Sequence, residues 1–256
     1  MRECPLIIHV PHSSTYIPAQ DRRDIILSDR DLEVELLKMT DWYTDELAHA
    51  GSIYGTLIRY EYSRLVVDPE RFRDPSNEVM NAVGMGAVYR LTSNKRKLRD
   101  LWPEKEENLL RRYYDPYHAL FDPKVAEILQ KHGKCLIVDI HSYPSKPLPY
   151  ELHPGGPRPD ICIGADTFHT PAALTEFATV FFEKNGLNTA INKPFAGSFV
   201  PGRFYQKDNR VSSIMIEIKR SLYMDEGTGA KIASFSNIQK TTDRFIKAVS
   251  NFTEPV

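Results

Sequence analysis

The sequence predicts an α/β fold in which a central β-sheet is covered by helices on both faces. Three short apolar runs, at 6–10, 135–140 and 212–218, have the length and composition of buried strands. Helical patterns separate these runs, and strands that alternate with helices are typical of a sheet covered on both sides. The 256 residues suffice for one large domain, and no shift in composition marks a linker.

The first part of the chain is predicted to hold a strand and a long helix. Ser28 precedes a helical pattern in the position of an N-cap, and Gly51 follows that pattern as a typical helix end. The predicted elements are a strand over 5–10, a helix over 29–50, extended segments over 53–60 and 64–68, and a long loop over 74–99 that lies above the site.

The second part of the chain alternates between helical and strand patterns. Pro123 is expected either in the first turn of a helix or at a break, and Pro171 in the first turn of another helix. The predicted elements are helices over 104–114 and 117–132, a strand over 135–140, a proline-rich loop over 144–159, a short strand over 160–164, a helix over 171–184, strands over 187–192 and 212–218, and an amphipathic helix over 232–252.

Charge and cysteine content limit the classes of function. The chain has 33 Lys and Arg against 34 Asp and Glu, a net charge of −1, so we expect neither a nucleic-acid partner nor attraction to a membrane. The three cysteines form no CxxC pair, which argues against a thiolate zinc site, and Cys135 and Cys162 are predicted to be core residues. Without a signal-peptide pattern or a spanning segment, we predict a cytoplasmic protein. No pattern predicts an oligomeric state.

Two histidines follow predicted strands. His12 lies in Pro-His-Ser-Ser directly after the first strand, and His141 follows the strand that contains Asp139. Polar side chains at the carboxyl ends of neighbouring strands converge on one crevice in α/β proteins, so both histidines are candidate metal ligands. Asp139, two residues before His141, would accept a hydrogen bond from a ligand histidine and fix its tautomer. The alternatives are a locally satisfied His12 and a polar strand end capped by Ser142.

Glu217 interrupts the apolar run 212–218. A buried glutamate is rare unless it is paired or functional. The functional interpretation is a general base that takes a proton from the attacking water. The alternative is an ion pair with Lys219 or Arg220.

A catalytic zinc site with two histidines needs a third protein ligand. The predicted helix over 29–50 offers several carboxylates, and its periodicity does not choose among them. They are Glu33, Glu35, Asp41, Asp45 and Glu46.

Arginines near these segments point to an anionic substrate. Arg64 and Arg71 flank a short apolar segment, and Arg220 follows the Glu217 strand. A guanidinium matches a carboxylate with two parallel hydrogen bonds. The alternative is that these arginines pair with Asp68, Glu70 or Glu217.

Six segments in order make the pattern specific. They are Val10-Pro11-His12-Ser13-Ser14, Thr40-Asp41-Trp42-Tyr43, Ser63-Arg64-Leu65-Val66-Val67-Asp68, Asp139-Ile140-His141-Ser142, Gly197-Ser198-Phe199-Val200-Pro201 and Ile216-Glu217-Ile218-Lys219-Arg220-Ser221-Leu222-Tyr223. Together they resemble the N-formylglutamate amidohydrolase family, which is related to zinc carboxypeptidases and aspartoacylase. The resemblance runs from about residue 5 to about residue 245.

The resemblance implies a single domain over 1–256 with a three-layer phosphorylase/hydrolase-like fold and a mixed central sheet. It implies a metal-dependent amide hydrolase that releases formate from N-formyl-L-glutamate, a late step of histidine breakdown. It also favours Asp41 as the acidic ligand. Two departures border the expected carboxylate pocket: Glu70 stands where many members have asparagine in Asp-x-Asn-Arg, and Lys219 where arginine or a smaller residue is common.

The resulting hypothesis assigns each candidate a role. Zn²⁺ is expected, with iron, manganese or cobalt as alternatives that tolerate similar ligands. The ligands are His12, Asp41 and His141, the base is Glu217, the substrate contacts are Arg64, Arg71, Arg220 and Ser142, and the supporting carboxylates are Asp68 and Asp139.

Two other functions remain open from the sequence. The same site would serve a hydrolase for another N-acyl amino acid, a small peptide or a cell-wall amide. A non-catalytic protein that binds a carboxylate metabolite is the alternative from a different class.

Overall fold

The computed structural model describes residues 4–252. The helices and strands, in chain order, are β1 Leu6–Val10, α1 Ala19–Arg22, α2 Asp29–Met39, α3 Thr44–Leu47, α4 Gly51–Tyr54, β2 Thr56–Arg59, α5 Pro103–Leu109, α6 Asp115–His132, β3 Cys135–Tyr143, β4 Ile161–Gly164, α7 Ala172–Lys184, β5 Thr189–Ile191, β6 Val211–Lys219 and α8 Phe235–Val249. Short 3₁₀ turns cover Val79–Val83 and Arg220–Leu222, and a π-helical turn covers Leu110–Tyr114.

Within residues 4–252 the strands form one six-stranded sheet in the order β2-β1-β3-β6-β4-β5. All neighbouring pairs are parallel except β4 and β6, which are antiparallel, so the sheet is mixed. The apolar runs that predicted β1, β3 and β6 therefore become three adjacent, parallel strands at the centre. Their carboxyl ends lie at the same edge, as the sequence predicted.

Two apolar layers cover the sheet, because successive side chains of a strand point to opposite faces. Ile8, Val138 and Ile216 pack on one face with residues of α3, α7 and α8. On the other face, Ile7 and Ile137 pack with residues of α5 and α6. The predicted α/β architecture, with a mixed sheet and helices on both sides, is confirmed.

The predicted helix over 29–50 was wrong in its second half. Helix α2 ends at Met39, Thr40 is extended, and of the remaining predicted residues only α3 is helical. The break occurs because the Asp41 amide donates to the carbonyl of His12 rather than continuing the helix. Gly51 begins α4 instead of ending a helix.

Other boundaries also differ from the sequence prediction. The predicted extended segment over 53–60 is shortened to β2 by α4, and Arg64 to Val66 form a turn rather than a strand. The two predicted helices over 104–132 are continuous through the π-helical turn, and Pro123 lies inside α6 without a break. Strand β3 continues to Tyr143, so His141 is part of the strand.

Candidate metal centre

The site lies where β1, β3 and β6 end. His12 comes two residues after β1, His141 lies near the end of β3, and Glu217 is paired in register with His141 across β3 and β6. The three side chains line one cavity of about 350 Å³, together with Asp41. The structure thus brings together the four residues that the sequence nominated as ligands and base.

Three ligand atoms face one another at the bottom of the cavity. His12 Nδ1 lies 3.3 Å from His141 Nδ1, His141 Nδ1 lies 3.0 Å from Asp41 Oδ2, and His12 Nδ1 lies 3.7 Å from Asp41 Oδ2. All three side chains are buried. The triangle that these atoms form has the edges that a tetrahedral zinc site with bonds of roughly 2.1 Å would require, about 3.4 Å.

The other ring nitrogens of the two histidines define their tautomers. His12 Nε2 lies 2.9 Å from Asp68 Oδ1, and His141 Nε2 lies 3.3 Å from Glu70 Oε1. A carboxylate only accepts hydrogen bonds, so a cation bound between the two Nδ1 atoms would leave each ring proton on Nε2, against these carboxylates. Both Nδ1 atoms then present lone pairs toward the Asp41 carboxylate. Three electron donors that face one another in a buried site fit a divalent cation, so the residues suit the metal that the resemblance implies.

Without a cation, protons must take its place between these groups. Burial lowers the pKa of His141, but the carboxylates of Asp139 and Glu70 outweigh this effect and hold that pKa well above its ordinary value. Burial would likewise raise the pKa of Asp41, but hydrogen bonds from His12 and His141 keep it well below its ordinary value. The cluster therefore attracts positive charge strongly.

Asp41 is held from outside the cluster as well. Its Oδ1 accepts a hydrogen bond from Arg220 at 2.9 Å, which leaves Oδ2 to face the histidines. Arg220 also donates to the Ser142 hydroxyl and to the carbonyl of Lys38. The other four carboxylates considered as ligands lie elsewhere: Glu33 is exposed, Glu35 binds Ser93, Asp45 pairs with Arg59, and Glu46 pairs with Lys231.

Glu217 is buried and its Oε2 has no hydrogen-bond partner within residues 4–252. The alternative ion pairs do not form, because Lys219 pairs with Asp160 at 2.7 Å and Arg220 binds Asp41. Burial raises the pKa of Glu217 to about 7, with Asp41 adding to the rise and His141 opposing it. A carboxyl with such a pKa can both accept and return a proton near neutral pH.

The three arginines that the sequence nominated for substrate binding differ in availability. Arg64 donates to Asp68 Oδ2 at 2.8 Å and to the Tyr89 hydroxyl, and Arg220 is engaged as described. Arg71 lines the cavity, and its guanidinium makes no hydrogen bond within residues 4–252, with the nearest carboxylate oxygen, of Asp68, at 3.7 Å. Arg71 therefore has free donors, whereas the other two are used to hold the site.

The supporting carboxylates lie beside the histidines. Asp68 joins His12 to Arg64, and burial, which raises its pKa, is outweighed by these two cations, so that the pKa lies well below its ordinary value. Asp139 Oδ1 lies 3.0 Å from His141 Nε2, so the candidate ligand that it adjoins is His141. It lies equally close to His9 Nδ1.

Sequence reasoning missed three side chains of the site. Glu70, noted as a departure from the family pattern and as a possible partner of the arginines, contacts His141 directly. His9 is fully buried next to Asp139, and its alternation with the other apolar residues of β1 gave no signal beyond a polar residue in a strand. Lys38 lines the cavity, and its ammonium makes no ion pair or hydrogen bond within residues 4–252. A lysine in the last turn of a helix looks like an ordinary surface residue.

No helix within the described residues is long and apolar enough to cross a membrane.

Comparisons with known proteins bear on the family and the fold of the chain. A family model described as N-formylglutamate amidohydrolase matches residues 4–224. The structure is similar to that of an N-formylglutamate amidohydrolase from Ralstonia eutropha JMP134, with a TM-score of 0.84 and 24% identity over 97% of this chain and 93% of that chain. It is also similar to a gene product of Agrobacterium tumefaciens, with a TM-score of 0.66 and 21% identity over 97% and 92% of the two chains. No curated protein matches the chain.

Proposed function

The chain belongs to the N-formylglutamate amidohydrolase family, and from this membership we propose that it hydrolyses the formyl amide of N-formyl-L-glutamate in a reaction that depends on a divalent metal ion. The products would be formate and L-glutamate, and the proposed role, taken from the family resemblance, is a late step of histidine breakdown. The expected metal is Zn²⁺, which suits two imidazoles and one carboxylate, and the expected location is the cytoplasm.

One observation carries the proposal. The two Nδ1 lone pairs and Asp41 Oδ2 converge within 3.0 to 3.7 Å, next to a buried glutamate that has no partner for one of its oxygens. A binding protein for a carboxylate metabolite would gain nothing from a buried, unpaired Glu217, which costs free energy unless it reacts. A hydrolase needs both features.

His12, Asp41 and His141 would hold the metal, which supplies activation of the attacking water and polarisation of the amide carbonyl when bound. Glu217 takes the proton from the water on attack and then gives it to the amine that leaves. The pKa of about 7 suits this exchange at neutral pH.

Two cations that line the cavity would bind the substrate carboxylates. Arg71 and Lys38 have free donors, whereas Arg64 and Arg220 are occupied with Asp68 and Asp41. Lys38 has no ion pair within the described residues, and Arg71 has only the long ion pairs with Asp68 and Glu78, at 3.7 and 3.9 Å, so the two cations match the two carboxylates of an N-acyl glutamate. A hydrolase for another N-acyl amino acid or a small peptide is the alternative for the same site, and Glu70 in the cavity wall is the residue that favours it.

The experiment is formate release from N-formyl-L-glutamate by the zinc-loaded protein, coupled to formate dehydrogenase. N-acetyl and longer acyl glutamates, and N-formyl derivatives of uncharged amino acids, serve as comparison substrates. Turnover that is greatest with N-formyl-L-glutamate and stops on chelation supports the proposal. A protein that holds metal but releases no formate moves the assignment to another N-acyl acid. A protein that binds no metal and turns over none of the substrates contradicts the proposal.

A further inference from the structure

Glu70 lies among three histidines. Its Oε1 is 3.3 Å from His141 Nε2 and 3.5 Å from His9 Nδ1, and its Oε2 is 3.7 Å from His12 Nδ1. The side chain is only 15% exposed, and it reaches the site from the wall of the cavity. No other carboxylate of the described cavity wall, apart from Asp41, contacts both candidate ligand histidines.

The backbone around Glu70 is fixed on both sides. The Glu70 amide donates to Asp68 Oδ1 at 3.1 Å, and that oxygen also accepts from His12 Nε2. The carbonyl of Pro69 accepts a hydrogen bond from His118 Nε2 at 2.9 Å. The carboxylate is therefore held near His141 by the loop itself, so little conformational entropy is lost when it binds the ring.

Glu70 contacts His141 at Nε2, the ring nitrogen that does not face Asp41, while its other oxygen borders His12 Nδ1 at 3.7 Å. His141 Nδ1 faces Asp41 and His12, whereas Glu70 approaches Nε2, as does Asp139 at 3.0 Å. The distance and angle between His141 Nε2 and Glu70 Oε1 are those of a hydrogen bond. Asp139 Oδ1, by contrast, has no partner with hydrogen-bond geometry within the described residues. Nε2 therefore hydrogen-bonds Glu70, with the Asp139 carboxylate as a second anion beside it.

The residue type matters at this position. An asparagine at this position would present both donors and acceptors, whereas a carboxylate only accepts. A charged acceptor makes a stronger hydrogen bond to a ring N–H and increases the electron density that the opposite nitrogen offers to a cation. The carboxylate also brings a negative charge close to the site.

We propose that Glu70 is a positioning residue for the metal centre: its carboxylate accepts a hydrogen bond from the Nε2–H of His141, which orients the ring with Nδ1 toward Asp41 and His12, so that the site binds a divalent metal ion more tightly. This inference rests on the proposed function, since it assumes that His12, Asp41 and His141 hold a metal. It gives Glu70 a role distinct from substrate contact.

The test compares the metal affinity of Glu70→Gln and Glu70→Asn with that of the unchanged protein. Zn²⁺ affinity is measured by competition with a chromogenic chelator, and the Co²⁺-loaded proteins give visible spectra that report the ligand geometry. Loss of a partner of this kind typically weakens metal binding by about 10- to 100-fold. We expect both variants to fall in that range, with one metal per chain and a shifted Co²⁺ spectrum.

Glu151→Gln is the matched control. Glu151 lies in the wall of the same cavity and is also buried, but its carboxylate binds Arg158 and the Leu148 amide rather than a histidine. The Glu151→Gln substitution removes one negative charge from the cavity wall, as Glu70→Gln does. We expect the Zn²⁺ affinity of this variant to stay close to that of the unchanged protein. Circular dichroism of the metal-free proteins checks that each variant is folded.

Three results would overturn the inference. They are unchanged Zn²⁺ affinity in folded Glu70→Gln, an equal loss in Glu151→Gln, and a second metal per chain that disappears in Glu70→Gln, which would make Glu70 a ligand itself. Each of these presupposes a wild-type protein that binds metal. A wild-type protein without metal or formate release would instead contradict the proposed function.

Discussion

Replacing Glu217 by glutamine should make the protein more stable at alkaline pH and less active at the same time. The substitution keeps the shape of the side chain and removes its charge. Burial raises the pKa of Glu217 from 4.5 to about 7, so the folded protein holds this proton more tightly than the unfolded chain. Glu217 therefore costs no stability well below pH 4.5, and its cost grows as the pH rises through this window.

The size of the effect follows from the same pKa. Each tenfold change in proton affinity is worth about 1.4 kcal/mol, so the full cost of ionised Glu217 is roughly 3 kcal/mol. Between about pH 5 and about pH 8 the free energy of unfolding of the variant, relative to the unchanged protein, should rise by about 2 to 3 kcal/mol. The glutamine amide is also buried, and an unpaired amide costs about 1 to 3 kcal/mol at every pH, which shifts the baseline without changing the slope.

The assay is urea unfolding of the metal-free proteins, followed by tryptophan fluorescence at several pH values. Glu217→Met, which also does not titrate, is the control: its baseline should differ while its pH dependence matches. In parallel, formate release by metal-loaded Glu217→Gln should fall by roughly 10²- to 10⁴-fold, the usual contribution of a general base, with metal content retained. A stability difference that does not change with pH would refute the buried carboxylate, and normal turnover would refute the base.

Three further substitutions test the remaining parts of the site. His12→Ala should lower the zinc content measured by mass spectrometry, and a variant that still holds one zinc per chain would remove His12 from the centre. Asp68→Asn leaves Arg64 buried without its partner, so the free energy of unfolding should fall by about 3 kcal/mol in urea titrations and zinc affinity should also weaken; unchanged values in both would contradict the bridging role. Lys38→Met should reduce the preference for N-formyl-L-glutamate over N-formyl-L-glutamine by about tenfold in kcat/KM. An equal loss for both substrates would mean that Lys38 does not bind the side-chain carboxylate.

The centre of the fold and its site could be predicted because their signals are local. Apolar runs identify β1, β3 and β6 as buried strands, and the polar residues at or near the ends of these runs are the candidates for a site. The carboxyl ends of neighbouring strands converge on one crevice in α/β proteins. The structure shows that β1, β3 and β6 are such neighbours.

Asp41 could not be chosen from helix periodicity because its position depends on distant contacts. The residues around it have no local signal for a break, but the Asp41 amide bonds to the carbonyl of His12 and its carboxylate to Arg220. Only the resemblance favoured this residue over Glu35 or Asp45. Tertiary contacts thus override a helical pattern at the point where the site requires it.

Glu70 and Lys38, in the wall of the cavity, could not be predicted from local sequence either. Each belongs to a residue type that is normally solvated, and each becomes part of the site through the path of a loop or the end of a helix. The roles of the arginines were ambiguous for a related reason. The sequence shows which arginines lie near the site, but only the structure shows that Arg64 binds Asp68 and Arg220 binds Asp41, whereas Arg71 makes no such hydrogen bond within the described residues.

The order of the strands also determines when the site can form as the protein is synthesised. His12, Asp41 and His141 have all been made once β3 is complete, but the partner that covers the open edge of β3 is β6, which follows about 70 residues later in the chain and pairs with all of β3. Arg220, which orients Asp41, comes directly after β6. A growing chain therefore carries the candidate ligands for several seconds, at roughly 5 to 20 residues per second, before it can hold them in place. Metal capture is thus expected to follow closure of the sheet, and a fragment that ends before Val211 should not bind the ion tightly.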